Sequence, residues 1–126
     1  MASHSEYRIS IFDAGADLTG KQYHGAKFGA NDKTVVASAA QEGFGIIMST
    51  SPNTGLVEVA LTGAGAKAKL AGEVTRGDSL TTDSDGAFVA AGDGERCLAI
   101  AMASGVSGDV IPVEVELHNT LADEEE

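Results

Sequence analysis

Apolar and polar residues alternate over short stretches of this chain, and Gly, Asp, Asn or Pro interrupts these stretches about every ten positions, a spacing typical of an all-β sandwich or barrel. The clearest stretch is the last one, where Ile111, Val113, Val115 and Leu117 occupy alternate positions and are expected to face inward. Helical periodicity is scarce. The sequence therefore predicts an all-β fold: a small antiparallel β-sandwich or barrel with Gly-rich turns and flexible termini.

The predicted strands follow one another with short connections. Segment 64–72 favours helix by the propensity of its Ala and Lys residues but strand by their alternation, and we favour strand. Pro112 has no N–H, so we expect its strand to lie at a sheet edge or to start there. Asn31-Asp32 and Asp83 to Gly86 are expected to be tight turns. The predicted strands cover residues 7–12, 22–28, 33–37, 44–48, 56–61, 64–72, 72–76, 79–82, 87–90, 97–103 and 111–118.

The length of 126 residues is that of a single domain. We expect a flexible N-terminal arm at residues 1–6, one β domain at 7–119 and a disordered acidic tail at 120–126. Ala and Gly make up more than a quarter of the residues, so the core is short of large side chains. Such a thin core predicts that subunits bury apolar surface against one another.

The net charge is −11, and the closing run from Asp123 to Glu126 supplies only −4 of it. Because nucleic-acid affinity depends on Lys and Arg that neutralise phosphates, we expect no nucleic-acid partner. No apolar run approaches the roughly 20 residues that span a bilayer, and we expect no membrane partner. Cys97 is alone, which fits synthesis in a reducing cytoplasm.

Two motifs suggest chemistry at first sight. Gly63 to Ala68 matches a dinucleotide-binding fingerprint, but that fingerprint needs a helix, and Gly72 follows too soon for one. Asp83, Asp85 and Gly86 resemble half of a calcium loop without its remaining ligands. We interpret both segments as turns.

Other reactive residue types are also interpreted as structural. His4, His24 and His118 lack the spacing of metal ligands. Cys97 begins an apolar strand and is expected to be buried and unreactive. Ser104 and Ser107 miss the nucleophile-elbow pattern, and Glu114 and Glu116 are interpreted as a solvated polar face. The sequence predicts no catalytic residues, no cofactor, no metal and no enzyme activity.

The order and spacing of several segments resemble the small capsid cement, or head decoration, proteins of tailed bacteriophages, over nearly all of the chain. The most specific segment is Gly-Asp-x-Leu-Thr-x-Asp at 77–83, followed later by Gly-Asp-x-Ile at 108–111. The other segments that carry the resemblance are 16–23 (ADLTGKQY), 43–46 (GFGI), 52–59 (PNTGLVEV), 70–72 (LAG), 84–86 (SDG), 98–101 (LAIA) and 105–113 (GVSGDVIPV).

This resemblance implies a non-enzymatic protein that binds the outer surface of a tailed-phage head and bridges major capsid subunits to stabilise the shell. It also implies that the protein is made in the host cytoplasm, that the major capsid protein is its partner, and that it is a homotrimer. The polar segment at residues 2–7 is a candidate arm that becomes ordered on the capsid or on a neighbouring subunit, and an untethered N-terminus explains it equally well. The candidate contact residues are Ser3, His4, Ser5, Glu6 and Tyr7.

Two other classes stay open. One is a ligand- or glycan-binding small β-barrel module of a head fibre, although the chain has no Trp and only two Tyr to stack on sugar rings. The other is an enzyme that uses the Gly63 to Ala68 loop. Cosedimentation with heads, glycan binding and a nucleotide-dependent rise in melting temperature separate the three classes.

Overall fold

The computed structural model describes residues 9–37, 43–51, 55–92 and 94–119, and these form ten strands joined by turns. A short 3₁₀ turn at Ala30–Asp32 is the only helical element in these ranges, so no helix there is long enough to cross a membrane. The strands are β1 (Ile9–Asp13), β2 (Gly25–Phe28), β3 (Thr34–Val36), β4 (Gly45–Ser51), β5 (Leu56–Ala60), β6 (Gly65–Lys69), β7 (Ser79–Thr82), β8 (Phe88–Ala90), β9 (Arg96–Ala101) and β10 (Val110–Asn119).

The strands form two five-stranded sheets in which every neighbouring pair is antiparallel. The first sheet has the order β1-β5-β4-β2-β3, and the second has the order β6-β10-β9-β7-β8. The prediction of an all-β, antiparallel, sandwich-like fold is confirmed. Among the described strands neither sheet closes into a barrel.

The second sheet repeats the topology of the first. Renumbering β6 to β10 as one to five gives the same strand order in both sheets. Each sheet also contains one parallel bridge between the residue after its first strand and the first residue of its third strand: Ala14 with Thr34, and Leu70 with Phe88. The fold is therefore an internal duplication of one five-stranded unit.

The duplication is visible in the sequence of equivalent strands. Val57-Glu58-Val59-Ala60-Leu61 in and after β5 and Val113-Glu114-Val115-Glu116-Leu117 in β10 differ at one position only. Their separation along the chain equals that between Ala14 and Leu70. In both strands the Val residues are buried and the shared Glu is exposed. The two halves thus place the same residue types at the same points of the fold.

Each sheet is rolled so that its two edges meet at one point. The Gly15 N–H donates to the Thr34 carbonyl at 2.8 Å, and the Ala71 N–H donates to the Phe88 carbonyl at the same distance. These bonds occupy the outer backbone groups at the start of β3 and of β8.

Two apolar clusters form the core. The larger one fills the second sheet and includes Phe88 and Leu98, with Ile46 and Ala60 of the first sheet packed against it. The smaller one fills the first sheet around Ile47. Side chains from both sheets therefore bury one another. Each Å² of apolar area that is removed from water contributes about 25 cal/mol to the stability of this packing.

The prediction that the strand of Pro112 lies at an edge is wrong. β10 lies in the middle of its sheet, between β6 and β9. Pro112 faces Met102, the first residue after β9, whose N–H donates to the Pro112 carbonyl at 2.9 Å. The bond that proline cannot donate therefore falls where the neighbouring strand has already ended, so proline is tolerated inside the sheet.

One further prediction is corrected: the predicted strand at 72–76 is a single bridge between Val74 and Gly105. In β1, Phe12 packs on the smaller cluster, whereas Ile9 and Ile11 are exposed. The segment at 64–72, interpreted as strand, contains β6 as predicted.

Candidate functional site

The Gly-Asp segments that carry the family resemblance form two matching turns. At Thr75–Asp78 the Asp carboxylate accepts the Thr75 N–H at 2.9 Å, and at Val106–Asp109 the Asp carboxylate accepts the Val106 N–H at the same distance. The Gly before each Asp has a φ of 94°, which L-residues rarely adopt. These residues shape the entry into β7 and β10, so they are structural residues of the fold.

The dinucleotide-like segment holds no phosphate cradle. Gly63 takes a positive φ in a turn in which the Ala64 N–H donates to the Leu61 carbonyl at 3.0 Å. β6 then begins directly at Gly65. A pyrophosphate site requires a helix N-terminus at this point, and a strand occupies it.

The calcium-like segment is a hairpin turn. One oxygen of Asp83, Oδ1, accepts the N–H groups of Asp85 at 2.9 Å and Ala87 at 3.1 Å. Gly86 has a positive φ, its carbonyl accepts the Gly25 N–H at 2.8 Å, and a Cβ there would lie 2.5 Å from Val36. The turn therefore joins the two sheets.

The two histidines in the described part of the chain, His24 and His118, each have a local partner. The His24 ring nitrogen Nδ1 lies 3.1 Å from the Gln22 carbonyl, and the His118 Nδ1 lies 3.6 Å from a Glu116 carboxylate oxygen at the surface. In the ranges that the structure describes, no group of three His, Cys, Asp or Glu side chains could hold a metal ion.

Cys97 is fully buried in β9, and its thiol donates to the Ala99 carbonyl at 3.2 Å. Burial raises the pKa of this thiol above its ordinary value, because the desolvated thiolate is the disfavoured form. A buried thiol with a raised pKa is a poor nucleophile. The prediction of a buried Cys97 is confirmed.

The serine and glutamate candidates have structural partners or face solvent. The Ser104 hydroxyl accepts the Arg76 N–H at 2.9 Å in a loop. Glu114 and Glu116 are exposed on β10, as predicted for a solvated face.

The surface depressions of the described chain are shallow. One of about 420 Å³ is lined by small and acidic residues of the turn after β1, from Ala14 to Leu18, and by the ends of β4 and β5. Another of about 480 Å³ lies where the two sheets meet and is lined by Tyr23, His24 and Lys69 among others. A third, of about 260 Å³, lies beside Ile11 and Leu56. None of them has the enclosed, aromatic lining of a cofactor pocket.

Exposed apolar side chains are the most distinctive surface feature of the described chain. Ile9, Ile11 and Leu56 lie on the neighbouring strands β1 and β5, and the others are Phe28, Met102, Val106 and Val110. Apolar residues gathered on an otherwise acidic surface mark interaction sites.

The predicted contact residues Ser3, His4, Ser5, Glu6 and Tyr7 lie outside the described residues, and their role stays a prediction. The exposed apolar groups were missed because alternation alone does not say which side of a strand is covered. In β1 the size of the side chains indicates the buried side. Phe12 is larger than Ile9 and Ile11, which lie on the opposite side, so burying Phe12 removes the larger apolar side chain from water.

No protein-family model matches the chain, and no curated protein matches it. Among solved structures, the chain is similar to the N base of the head fibre gp8.5 of bacteriophage phi29, with a TM-score of 0.62 and 16% sequence identity. The match covers 86% of this chain and 92% of the phage chain. At this identity the likeness describes the fold: nearly the whole phage base domain shares the architecture of this duplicated, two-sheet protein.

Proposed function

We propose that this protein is a non-enzymatic cement or decoration protein of a tailed-phage head, which binds the outer surface of the shell and bridges major capsid subunits. The observation that carries the proposal is the likeness to a phage head fibre base, whose domain is covered almost end to end. The Gly-Asp segments at 77–83 and 108–111, which resemble those of head decoration proteins, also support it.

The character of the surface supports the proposal. The described residues offer shallow polar depressions and exposed apolar groups in place of an enclosed pocket or a basic groove. An acidic chain suits the outside of a shell better than contact with packaged DNA. Binding through surface groups is the activity that these residues support.

The mechanism is multivalent clamping. Modest contacts to adjacent capsid subunits, joined through one oligomer, gain avidity because the later binding events are intramolecular. A homotrimer presents three identical contacts to three surrounding capsid chains. An interface of standard size buries about 800 Å² per partner, and its affinity resides in a few central apolar anchors.

The head fibre likeness also favours a second candidate, in which the protein is the anchoring base of a head fibre or a glycan-binding module of one. Both candidates place the protein on the virion surface. They differ in effect, because a fibre base need not strengthen the shell.

The test compares decorated and undecorated heads. Cosedimentation of the purified protein with intact heads measures binding, and DNA retention after heating or osmotic shock measures cementing. We expect decorated heads to retain more DNA. Binding with equal DNA retention would reject cementing in favour of the fibre-base candidate, and absence of binding would reject both. A truncation that removes residues 122–126 is expected to bind heads as the full chain does.

A further inference from the structure

β1 is an edge strand with an open backbone. The Ala14 N–H donates to the Gly55 carbonyl, and bonded pairs alternate along an antiparallel ladder, so Ile9, Ile11 and Asp13 direct their N–H and C=O groups away from β5. At the Asp13 end this side meets the start of β3, through the bridge of Ala14 with Thr34, so Ile9 and Ile11 are the residues that face outward. The edge can therefore accept another strand.

The side chains on this edge are apolar with an acidic border. Ile9 is 41% exposed and Ile11 is 61% exposed, and they continue onto Leu56 of β5 across the shallow groove of about 260 Å³. Glu58 lies directly opposite Ile11, and Asp13 ends the strand. Proteins normally protect such an edge with Lys, Pro or a bulge, and β1 has none of these.

The internal duplication supplies the comparison, because β6 is the equivalent edge strand of the second sheet. The bridges of Ala14 and Leu70 fix the alignment and place Lys67 at the position of Ile11, and Lys69 at that of Asp13. Lys67 is exposed, and its backbone groups also point away from the sheet. One of two equivalent edges is thus apolar and acidic, and the other is basic.

We infer that β1 of one copy pairs in antiparallel fashion with β6 of a second copy. Residues directly opposite each other in such a pair lie on the same face, so the aliphatic stems of Lys67 and Lys69 cover Ile11. Their ammonium groups then lie beside the Asp13 and Glu58 carboxylates. The opposite charges select this pairing, because β1 against β1 would gather carboxylates and β6 against β6 would gather lysines.

One end of β6 limits the register. The Lys69 N–H already donates to the Tyr23 carbonyl at 3.0 Å, which leaves Gly65 and Lys67 as the residues that supply backbone groups to a partner. A short pairing of this kind contributes specificity, and the apolar cover contributes most of the free energy of association.

This contact is heterologous, since it joins two different surfaces, and identical heterologous contacts close into a ring when the rotation that relates neighbouring copies closes. That the ring contains three copies rests on the proposed function, in which the protein is a homotrimer. The pairing of β1 with β6 itself rests on the two edges alone.

The experiment uses two single variants that each disable one edge. I11K gives β1 the residue that β6 carries at the equivalent position, so the fold tolerates it, and K67E reverses the charge of β6. M102K is the matched control, since it adds the same charge at an exposed apolar residue on neither edge. The masses of the full-length proteins are measured by light scattering at high micromolar concentration.

We expect trimers from the wild type and M102K, and monomers from I11K and K67E. An equimolar mixture of I11K and K67E should associate, because the intact β6 of I11K meets the intact β1 of K67E. A monomeric wild type, a trimeric I11K, a trimeric K67E or a mixture that stays monomeric would each overturn the inference. Head cosedimentation is scored separately, so failure of the edge pairing is distinguishable from failure of head binding.

Discussion

Val74 and Gly105 exchange two backbone hydrogen bonds: the Val74 N–H donates to the Gly105 carbonyl at 2.9 Å, and the Gly105 N–H donates to the Val74 carbonyl at 3.0 Å. This pair joins the two Gly-Asp turns that precede β7 and β10. The most specific part of the family resemblance is therefore one structural unit, in which two turns distant in sequence support each other.

Substituting Gly105 by Ala should destabilise the protein by about 1–3 kcal/mol, because the added methyl overpacks a well-filled site. A Cβ there would lie 2.9 Å from Leu70 Cδ1 and 3.0 Å from Ile111 Cγ2. Gly72→Ala is the control, since its Cβ would meet only Val89, at 3.8 Å. Urea unfolding measures the free energy of unfolding of both variants. Equal stability of the two variants would show that the site around Gly105 adapts freely.

The Asp side chains of the two turns should each stabilise the fold by about 1 kcal/mol, through the hydrogen bond that each accepts from a backbone N–H. We expect Asp78→Ala and Asp109→Ala to lower the free energy of unfolding by this amount. Asp78→Asn keeps an acceptor oxygen and should retain most of it. If Asn and Ala at position 78 prove equally destabilising, the side-chain hydrogen bond is not the source of the effect.

Val113→Asp should prevent folding, whereas the same substitution at Val110 should be tolerated. Val113 is 2% exposed in the middle of its sheet, so an Asp there would be buried and unpaired. Val110 is 42% exposed on the same strand, opposite Lys69. Circular dichroism measures the secondary structure of both variants, and a thermal scan measures whether each unfolds cooperatively. A cooperative, wild-type-like transition for Val113→Asp would contradict the assignment of this face to the core.

Stability should fall at alkaline pH through Cys97. Its folded pKa is raised, so the contribution is fully present below the pKa of an unfolded thiol, about 8.5, and is lost as pH rises toward the folded pKa. The free energy of unfolding falls as pH rises because the unfolded chain releases the thiol proton at a lower pH than the folded chain does. The measurement is the difference in unfolding free energy between the wild type and Cys97→Ala, from neutral pH to above pH 9. A difference that stays constant would show that the thiol does not titrate on unfolding.

Most strands could be predicted because their side-chain pattern reports burial directly. Val57 and Val59, and Val113 and Val115, alternate with polar residues, and both sets are buried as the pattern indicates. Turns were predictable where a residue type is required locally, as with Gly86 at a φ of 85°.

The features that the sequence did not predict have a common physical origin, because each depends on which element lies beside a strand. Proline is typical of edge strands, yet Pro112 is accommodated in a central strand because the neighbouring strand β9 ends at Ala101. The exposure of Ile11 depends on the arrangement of the sheets, which alternation does not encode. The duplication could have been found: Val57 to Leu61 and Val113 to Leu117 repeat almost unchanged, and their spacing predicts two equivalent sheets.

Because each chain contains the same five-stranded unit twice, it presents two similar backbone surfaces that carry different side chains. The change from Ile11 in one half to Lys67 at the equivalent point of the other lets one backbone design select two different neighbours.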